Sequence, residues 1–443
     1  MTTTVKHYRN SFIDIENKKI RILMDPWVNT ANEGSWAGTK DGSKFVFESL
    51  KKKQVDFIYI SHLHTDHFDK KFLKDLKNHQ KKKFKLIIKK FKDNRLKNHL
   101  ISCGFNKEQI VDIKEFEVLN LSEKTKFIIL PQESSSNTPS HYIKYDLDTS
   151  CVYIDENVRL YNQVDNAYSI TDIKKIMKKL KKKIDIKFDL AFIPYCAASE
   201  FPQSFINLNR KTEKIDVISS RIKKFIDIGE SIECNTVIPA GGSYHLDNIF
   251  SKLNNYLAVP EFRVINNLFN KYKSRKFKIV DTNKNFFLAN NYKIVPKKNF
   301  FTKYFKSKLS SDKKNIGYNK IRNKFSAEKI SNILKNLERK LPDFKKNLYN
   351  KTNTEIEINV WNKQPLLIKN LKRKEPKIKH KVFFDKRKKI QLKIHLYYKL
   401  LLGIIYNHVS WNEVQNHCLF ERKPNKYDPD TVMWLNLYKF KEN

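Results

Sequence analysis

A layered α/β domain over roughly residues 1–290, a helical connector over 291–345 and a small α+β module over 346–443 form the architecture that this sequence predicts. Three observations predict it. Short apolar bursts rich in β-branched and aromatic residues alternate with stretches of helical periodicity through the first part of the chain. A Lys- and Asn-rich stretch then interrupts the pattern, and a second, shorter set of strand-like runs follows it. Finally, 443 residues, of which 40% are hydrophobic and 13% aromatic, supply material for more than one ordinary core.

In order along the chain, Ser11–Ile15, Ile20–Met24, Phe57–Ile60, Leu86–Lys89, Lys126–Leu130, His141–Tyr145 and Cys151–Ile154 have the length and composition of strands. Helical spacing marks Lys70–Asn78 and Ile170–Leu180, and strands resume at Asp189–Ile193, Thr236–Pro239 and Lys278–Val280. Elements mixed in this way stack in layers, with helices covering sheet faces. The connector carries one helical stretch, Ala327–Leu341. Beyond it, Glu355–Val360, Leu366–Ile368, Lys381–Phe384 and Ile390–His395 read as strands. A helix over Tyr397–Tyr406 follows, with Leu400, Leu401, Ile404 and Ile405 near helical spacing, then an ordered tail ending near Phe440. No internal repeat is visible.

Lys and Arg number 88 against 47 Asp and Glu, a formal net charge of +41. Such a balance fits an anionic partner: a phosphate-bearing small molecule, nucleic acid or a membrane surface. The lysines are nevertheless scattered, and abundant Asn, Ile and Phe beside only 9 Gly and 13 Pro match an AT-rich coding bias. Without a grouped basic module or an RNA-binding signature, nucleic acid is not the expected partner, and runs such as Lys178–Lys183 read as solvated faces. Cys103, Cys151, Cys196, Cys234 and Cys418 stand far apart with no CxxC or CxH pair. That spacing argues against an iron–sulfur cluster and predicts reduced thiols in a cytoplasmic protein. MTTTVKHYRN lacks an apolar core of a signal peptide, and Leu400–Tyr406 falls far short of the roughly 20 residues that span a bilayer.

The densest chemical signal is SHLHTDHFD, directly after Phe57–Ile60. His62 and His64 stand two apart, so on an extended loop their side chains leave on the same side. Asp66 and His67 follow and can open a helix while facing the same space. Imidazoles and a carboxylate on one short loop suit zinc, iron or manganese, and this grouping suits two metals a few ångströms apart. The expected metal ligands are His62, His64, Asp66, His67, Asp155 and His245, with one or two transition-metal ions, iron or zinc, as cofactor. Asp66 and Asp155 are the expected catalytic carboxylates, holding the metal beside an attacking water or oxygen species. Asp155 ends the strand Cys151–Ile154; the bland alternative is a strand-end turn. His245 lies in PAGGSYH, where Gly241 and Gly242 let the backbone pass close to a bound group; the alternative is an exposed loop residue. Asp25, in MDPW, reads as an outer carboxylate orienting a ligand His, or as a simple Asp-Pro turn.

SHLHTDH matches the HxHxDH signature of the metallo-β-lactamase fold. The longer stretch MDPWVNTANEGSW…DFIYISHLHTDH resembles the catalytic part of CMP-N-acetylneuraminate hydroxylases and related nucleotide-sugar hydroxylases. AFIPYCAASEFP and IPAGGSYH resemble later segments of that family. WNEVQNHCLFERKPNKYDPD, with Trp411, Arg422, Pro424 and Tyr427, resembles its C-terminal module. The resemblance implies an αββα sandwich of two mixed sheets packed face to face. It implies a metal-dependent, hydroxylase-like enzyme modifying a nucleotide sugar or glycan precursor. It also implies a Rieske module that this chain, opening on the metal domain, does not display, so either electrons come from a separate electron-transfer protein or the reaction is not an oxygenation. The family places a further His before its bridging Asp; here the region reads LPQESSSNTPSHYIKY, where Glu133 is a substitute and His141 falls late. Other readings are a metallohydrolase of the same fold acting on a phosphodiester, phospholipid or amide, a nucleic-acid processing enzyme, and a non-catalytic scaffold.

Overall fold

The computed structural model describes residues 2–38, 54–80, 83–132, 148–184, 187–242, 244–272, 276–282, 285–298, 318, 321–339, 355–382, 390–406 and 408–422. The chain opens on an antiparallel meander of β1 (Thr3–Arg9), β2 (Phe12–Glu16) and β3 (Arg21–Met24). A short hairpin, β4 (Thr30–Ala31) and β5 (Trp36–Ala37), lies outside the sheet. Then β6 (Phe57–Tyr59), α1 (Lys70–His79), β7 (Lys85–Lys89), α2 (Arg95–Ser102) and β8 (Ile110–Ile113) extend it by parallel pairing.

The second sheet begins with antiparallel β9 (Val118–Ser122), β10 (Thr125–Leu130), β11 (Ser150–Ile154) and β12 (Arg159–Asn162). After α3 (Ile170–Lys181) it turns parallel through β13 (Phe188–Pro194), α4 (Arg210–Ser231) and β14 (Cys234–Ala240). Next, β15 (His245–Leu246) pairs with β5, and α5 (Phe262–Lys271) leads to β16 (Lys278–Ile279) beside β14. Finally β17 (Asn285–Asn290) and β18 (Lys293–Lys298) form a hairpin that rejoins the first sheet at β1. The domain therefore runs past the expected boundary at 290: β18 belongs to the first sheet.

Three apolar layers show how the sheets stack. Val5, Ile13, Ile22, Met24 and Tyr59 of the first sheet meet Phe127, Ile129, Tyr153, Leu190 and Ile238 of the second, with no helix between them. On the outer face of the first sheet, Leu23, Ile58 and Ile88 pack against Phe72, Leu73 and Leu76 of α1 and Leu96 and Leu100 of α2. On the outer face of the second, Val152, Ala191 and Val237 pack against residues of α3, α4 and α5, among them Ile173, Ile222 and Phe269. Residue parity along each strand thus sends one set inward and one outward, and the result is an αββα sandwich of the metallo-β-lactamase type.

The C-terminal part has its own core. Its sheet orders β20 (Ile378–Val382), β19 (Glu355–Trp361), β21 (Ile390–Tyr397) and β22 (Leu419–Arg422). Residues Ile330, Leu334 and Leu337 of α6 (Ala327–Arg339) pack on it, so this helix is part of the module rather than of a connector. In α7 (Tyr398–Ile405), Leu400, Leu401, Ile404 and Ile405 are buried, as the helical spacing requires. Leu366–Ile368 is not a strand: Pro365 opens a 3-10 turn over Pro365–Leu367, where a proline lacks the N–H a ladder needs. Backbone hydrogen bonds Ile206 N–Phe420 O and Phe420 N–Ser204 O, both 2.9 Å, and the Phe205 ring stacked on Phe420 dock the module on the first domain. The expected strand His141–Tyr145, Glu133, Pro424, Tyr427 and the tail lie outside the described residues. Among the described residues no helix is long and apolar enough to cross a membrane.

Candidate metal centre

The SHLHTDHFD loop leaves the first sheet where β6 ends. Its entry is pinned by Ile60 N donating to Ile87 O at 3.1 Å and its exit by Asp69, which caps α1 by accepting from Phe72 N at 2.9 Å. The same carboxylate accepts from Val28 N and Asn29 N, tying the loop to the segment after β3. Between those anchors a tight turn, with His67 N and Phe68 N both donating to His64 O, brings the imidazoles together. The ring centroids of His62 and His64 are 4.6 Å apart and those of His62 and His67 4.1 Å. The site thus sits at the carboxyl ends of β6, β12, β13 and β14, where loops of an α/β sheet gather.

A buried carboxylate sets the orientation of two rings. Asp25 is fully buried and accepts from Ser61 N at 2.7 Å, Ser61 Oγ at 2.6 Å and His67 Nδ1 at 2.8 Å. Because Asp25 only accepts, His67 keeps a proton on Nδ1 and directs Nε2 toward the site, where a bound metal would take the place of any proton the carboxylates hold there. Ser61 spends its hydroxyl proton on Asp25, so its oxygen accepts from His62 Nδ1 at 2.8 Å, and His62 likewise presents Nε2. Asp25 therefore has the contacts of the outer carboxylate expected from MDPW.

Carboxylates meet those nitrogens. His62, His67 and Asp165 form one group whose ligand atoms lie within 4.8 Å of one another, and His62, His64 and Asp148 form another. His62 Nε2 is 2.9 Å from His64 Nδ1 and 3.7 Å from Asp148 Oδ1. His67 Nε2 is 3.1 Å from Asp165 Oδ2 and 3.6 Å from Asp66 Oδ2. That nitrogen is buried and makes no well-aligned hydrogen bond. Asn10 Nδ2 holds Asp66 Oδ2 at 3.0 Å, and Asn10 O accepts from Gly241 N at 2.9 Å. Gly241 and Gly242 have φ of +78° and +81°, Gly241 lies beside Asp165, and an added Cβ at Gly242 would collide with Cys196 Sγ.

Burial pushes the pKa of His62 well below its ordinary value, helped by His67 and His64. Burial also opposes a charge on His67, but Asp165, Asp66 and Asp25 together hold its pKa well above the usual value. Burial raises the Asp66 pKa against the pull of His67, whereas for Asp165 the attraction of His67 outweighs burial and lowers it. Several acceptor oxygens crowd a largely buried pocket into which imidazole nitrogens point. This donor set fits one or two divalent transition metals, because a cation is what offsets carboxylates gathered away from water.

His62, His64, Asp66 and His67 come together. Asp155 does not join them: it accepts from Thr3 Oγ1 and Tyr153 OH at 2.8 Å and from Asn157 N and Val158 N at 2.8 and 2.9 Å. The reason is strand direction. Thr149, just before β11, donates to Ser61 O at 2.9 Å, so the start of β11 is at the site. Asp155 is six residues further along an extended strand, about 20 Å away. The antiparallel β12 returns to the site and delivers Asp165. The carboxylate Asp148, before β11, joins His62 and His64, while Glu133 and His141 lie outside the described residues. Neither Asp148 nor Asp165 is singled out by the sequence reading; the signal for both is pairing parity, since alternate strand ends of a meander face the same edge. His245 follows the glycine loop beside the site and starts β15, but it belongs to neither group of converging ligand atoms among the described residues.

No family model matches the chain. A stretch of 93 residues is 36% identical to a "Putative Rieske 2Fe-2S iron-sulfur protein" of Mycobacterium tuberculosis, covering 21% of this chain and 17% of that protein. A stretch of 60 residues is 45% identical to a protein of the same description from Mycolicibacterium smegmatis, covering 14% of this chain and 11% of that one. The chain thus matches about a sixth or less of the length of these relatives. Among solved structures it is similar to Igni18, a metallo hydrolase from Ignicoccus hospitalis (13% identity, TM-score 0.41, covering 63% of this chain and 94% of that one). It is also similar to CmlA, a diiron β-hydroxylase from Streptomyces venezuelae (14%, 0.43, covering 63% and 53%). A third is the metallo-β-lactamase fold protein YhfI from Bacillus subtilis (10%, 0.38, covering 63% and 96%). The chain resembles proteins of the metallo-β-lactamase fold.

Proposed function

We propose that this chain is a metal-dependent enzyme with a hydroxylase-like reaction on an anionic substrate, a nucleotide sugar or related glycan precursor. The observation that carries this reading is the oxygen-rich donor set, in which His62, His64 and His67 converge with Asp66, Asp148 and Asp165 and, among the described residues, no thiolate joins either group. Carboxylate and imidazole without sulfur suit iron or manganese as well as a hydrolytic zinc, and the added carboxylates favour the harder metals. Bound here, such a metal supplies Lewis acidity and, as iron, access to oxygen chemistry.

The chain's own residues prepare that chemistry. Asp25 and Ser61 fix the ring tautomers of His67 and His62. Asn10 couples Asp66 to the Gly241–Gly242 loop, whose left-handed turn passes beside Asp165. The formal charge of +41 favours phosphate-bearing substrates in solution, and the resemblance in MDPWVNTANEGSW supports the nucleotide-sugar class. An oxygenation consumes electrons, and relatives named for a 2Fe-2S cluster support an iron–sulfur centre as the donor. Five thiols, none in a disulfide, fit a reducing cytoplasmic setting.

The test combines metal analysis of protein purified without chelators with turnover of a nucleotide-sugar panel, with and without oxygen and a reduced iron–sulfur donor. The expected result is iron in the protein and product only when oxygen and donor are both present. Zinc in the site with oxygen-independent cleavage of a phosphodiester, phospholipid or amide would establish the hydrolase reading instead.

A further inference from the structure

The metal loop is tied to the C-terminal module by a continuous run of buried hydrogen bonds. Gln364 Nε2 donates to Tyr318 OH at 3.4 Å, and Tyr318 OH donates to His417 Nδ1 at 2.8 Å. His417 Nε2 donates to Asn32 O at 3.1 Å. Asn32 N donates to Thr65 Oγ1 at 2.9 Å, and Thr65 Oγ1 returns a hydrogen bond to Asn32 Oδ1 at 3.2 Å. Thr65 is the residue between His64 and Asp66 in the metal loop.

Each link has a definite direction. A backbone carbonyl only accepts, so His417 must carry its proton on Nε2, which leaves Nδ1 as the acceptor for Tyr318. Burial holds the His417 pKa down at about 4, so the ring is neutral and this single tautomer persists. The ring is fully buried, wedged against Phe250 at a centroid distance of 4.3 Å. Asn32, Glu33 and Gly34 all have left-handed φ, at +49°, +51° and +75°. Two non-glycine residues in succession there need outside contacts to keep their shape. Ser35 N and Oγ support Asn32 O from within the turn at 3.0 and 2.7 Å, and His417 supports it from the module.

We propose that His417 is a positioning residue, through which the docked C-terminal module sets the geometry of the metal loop by way of the Asn32 turn and Thr65. The inference rests on the reading of that loop as a metal centre and adds that the centre takes its shape from both parts of the chain. Nothing in the HxHxDH signature points to it, because His417 lies 350 residues beyond His67.

The test uses the full chain and four variants: His417→Phe, which keeps a ring without polar atoms; His417→Gln, which keeps a donor and an acceptor; Tyr318→Phe; and Thr65→Val. Metal affinity is measured by competition with a chromophoric chelator, and melting of the metal-free protein is followed by circular dichroism. The expected result is about a tenfold loss of affinity for His417→Phe, at the low end for groups acting behind metal ligands. His417→Gln recovers most of it. Thr65→Val costs a similar factor, and the double variant loses no more than either single one, because both cut the same connection. If His417→Phe fails to fold, Tyr318→Phe paired with Thr65→Val makes the same comparison. Wild-type affinity in the variants, multiplying losses, or a lowered metal-free melting point with unchanged affinity would each overturn the inference. A wild-type chain that binds no metal would overturn the metal-centre reading itself.

Discussion

Replacing Asp25 by Asn is the sharpest probe of the centre, because it changes one atom in a fully buried group. The backbone accepts the change: Asp25 has φ of +42°, a region that Asn tolerates and Ala does not. The amide oxygen can still take Ser61 N, now at 2.7 Å from Oδ1. The amide nitrogen then faces Ser61 Oγ and His67 Nδ1, which sit 2.6 and 2.8 Å from Oδ2 and both donate in the native site. To relieve the clash, His67 must move its proton to Nε2. Ser61 must turn its proton toward His62 Nδ1, which moves the His62 proton to Nε2 as well. Both nitrogens that face Asp165 and Asp148 would then carry hydrogens where a metal needs lone pairs. Loss of such an orienting group lowers metal affinity about 10- to 100-fold, or roughly 1.4 to 2.7 kcal/mol. Chelator competition and elemental analysis measure it, with thermal melting of the metal-free protein as the control for folding. Affinity within about twofold of wild type in a folded Asp25→Asn protein would refute the tautomer argument, which predicts at least the lower bound.

Asp165→Ala should strip metal from the group it shares with His62 and His67, whereas Asp155→Asn should leave metal content unchanged and destabilise the fold by about 2 kcal/mol, since its oxygens serve a buried hydrogen-bond cluster; elemental analysis and denaturant unfolding separate the two. Glu200 is buried, its Oε1 makes no hydrogen bond, and burial raises its pKa to about 7. Stability from its protonated form is complete below the unfolded value near 4.5 and is lost as pH rises through about 7. Glu200→Gln should therefore gain on wild type by up to about 3 kcal/mol between those limits, read from unfolding at pH 4.5 and pH 8; an equal difference at both would contradict the assignment. Leu400→Ala, at a fully buried position of α7, should cost about 2 to 5 kcal/mol and be seen as a lower unfolding midpoint, while a shift under about 0.5 kcal/mol would show that the module core does not depend on this helix.

Local patterns carried far in this sequence. The apolar run within Tyr397–Tyr406 marks a helix, α7, that the module buries on nearly every side, and the β-branched runs around Ile22 and Ile129 mark strands of both inner faces. The loop from His62 to His67 is legible because its ligand types lie within six residues, so chain geometry alone keeps them close. Asp148 and Asp165 are not legible in that way. Which strand end returns to the site depends on whether each neighbour runs parallel or antiparallel, and a carboxylate at the wrong end of β11, Asp155, carries the same local signal as one at the right end. His417 and Asn32 lie further still from any local pattern, joined only when the module docks through Phe205 and Phe420. The sequence by itself determined the layered architecture, the module helix and the imidazole loop, because periodicity and short-range spacing specify them. The tertiary structure alone decided which carboxylates face that loop and what braces it from behind, because those contacts are products of strand direction and of packing between distant segments.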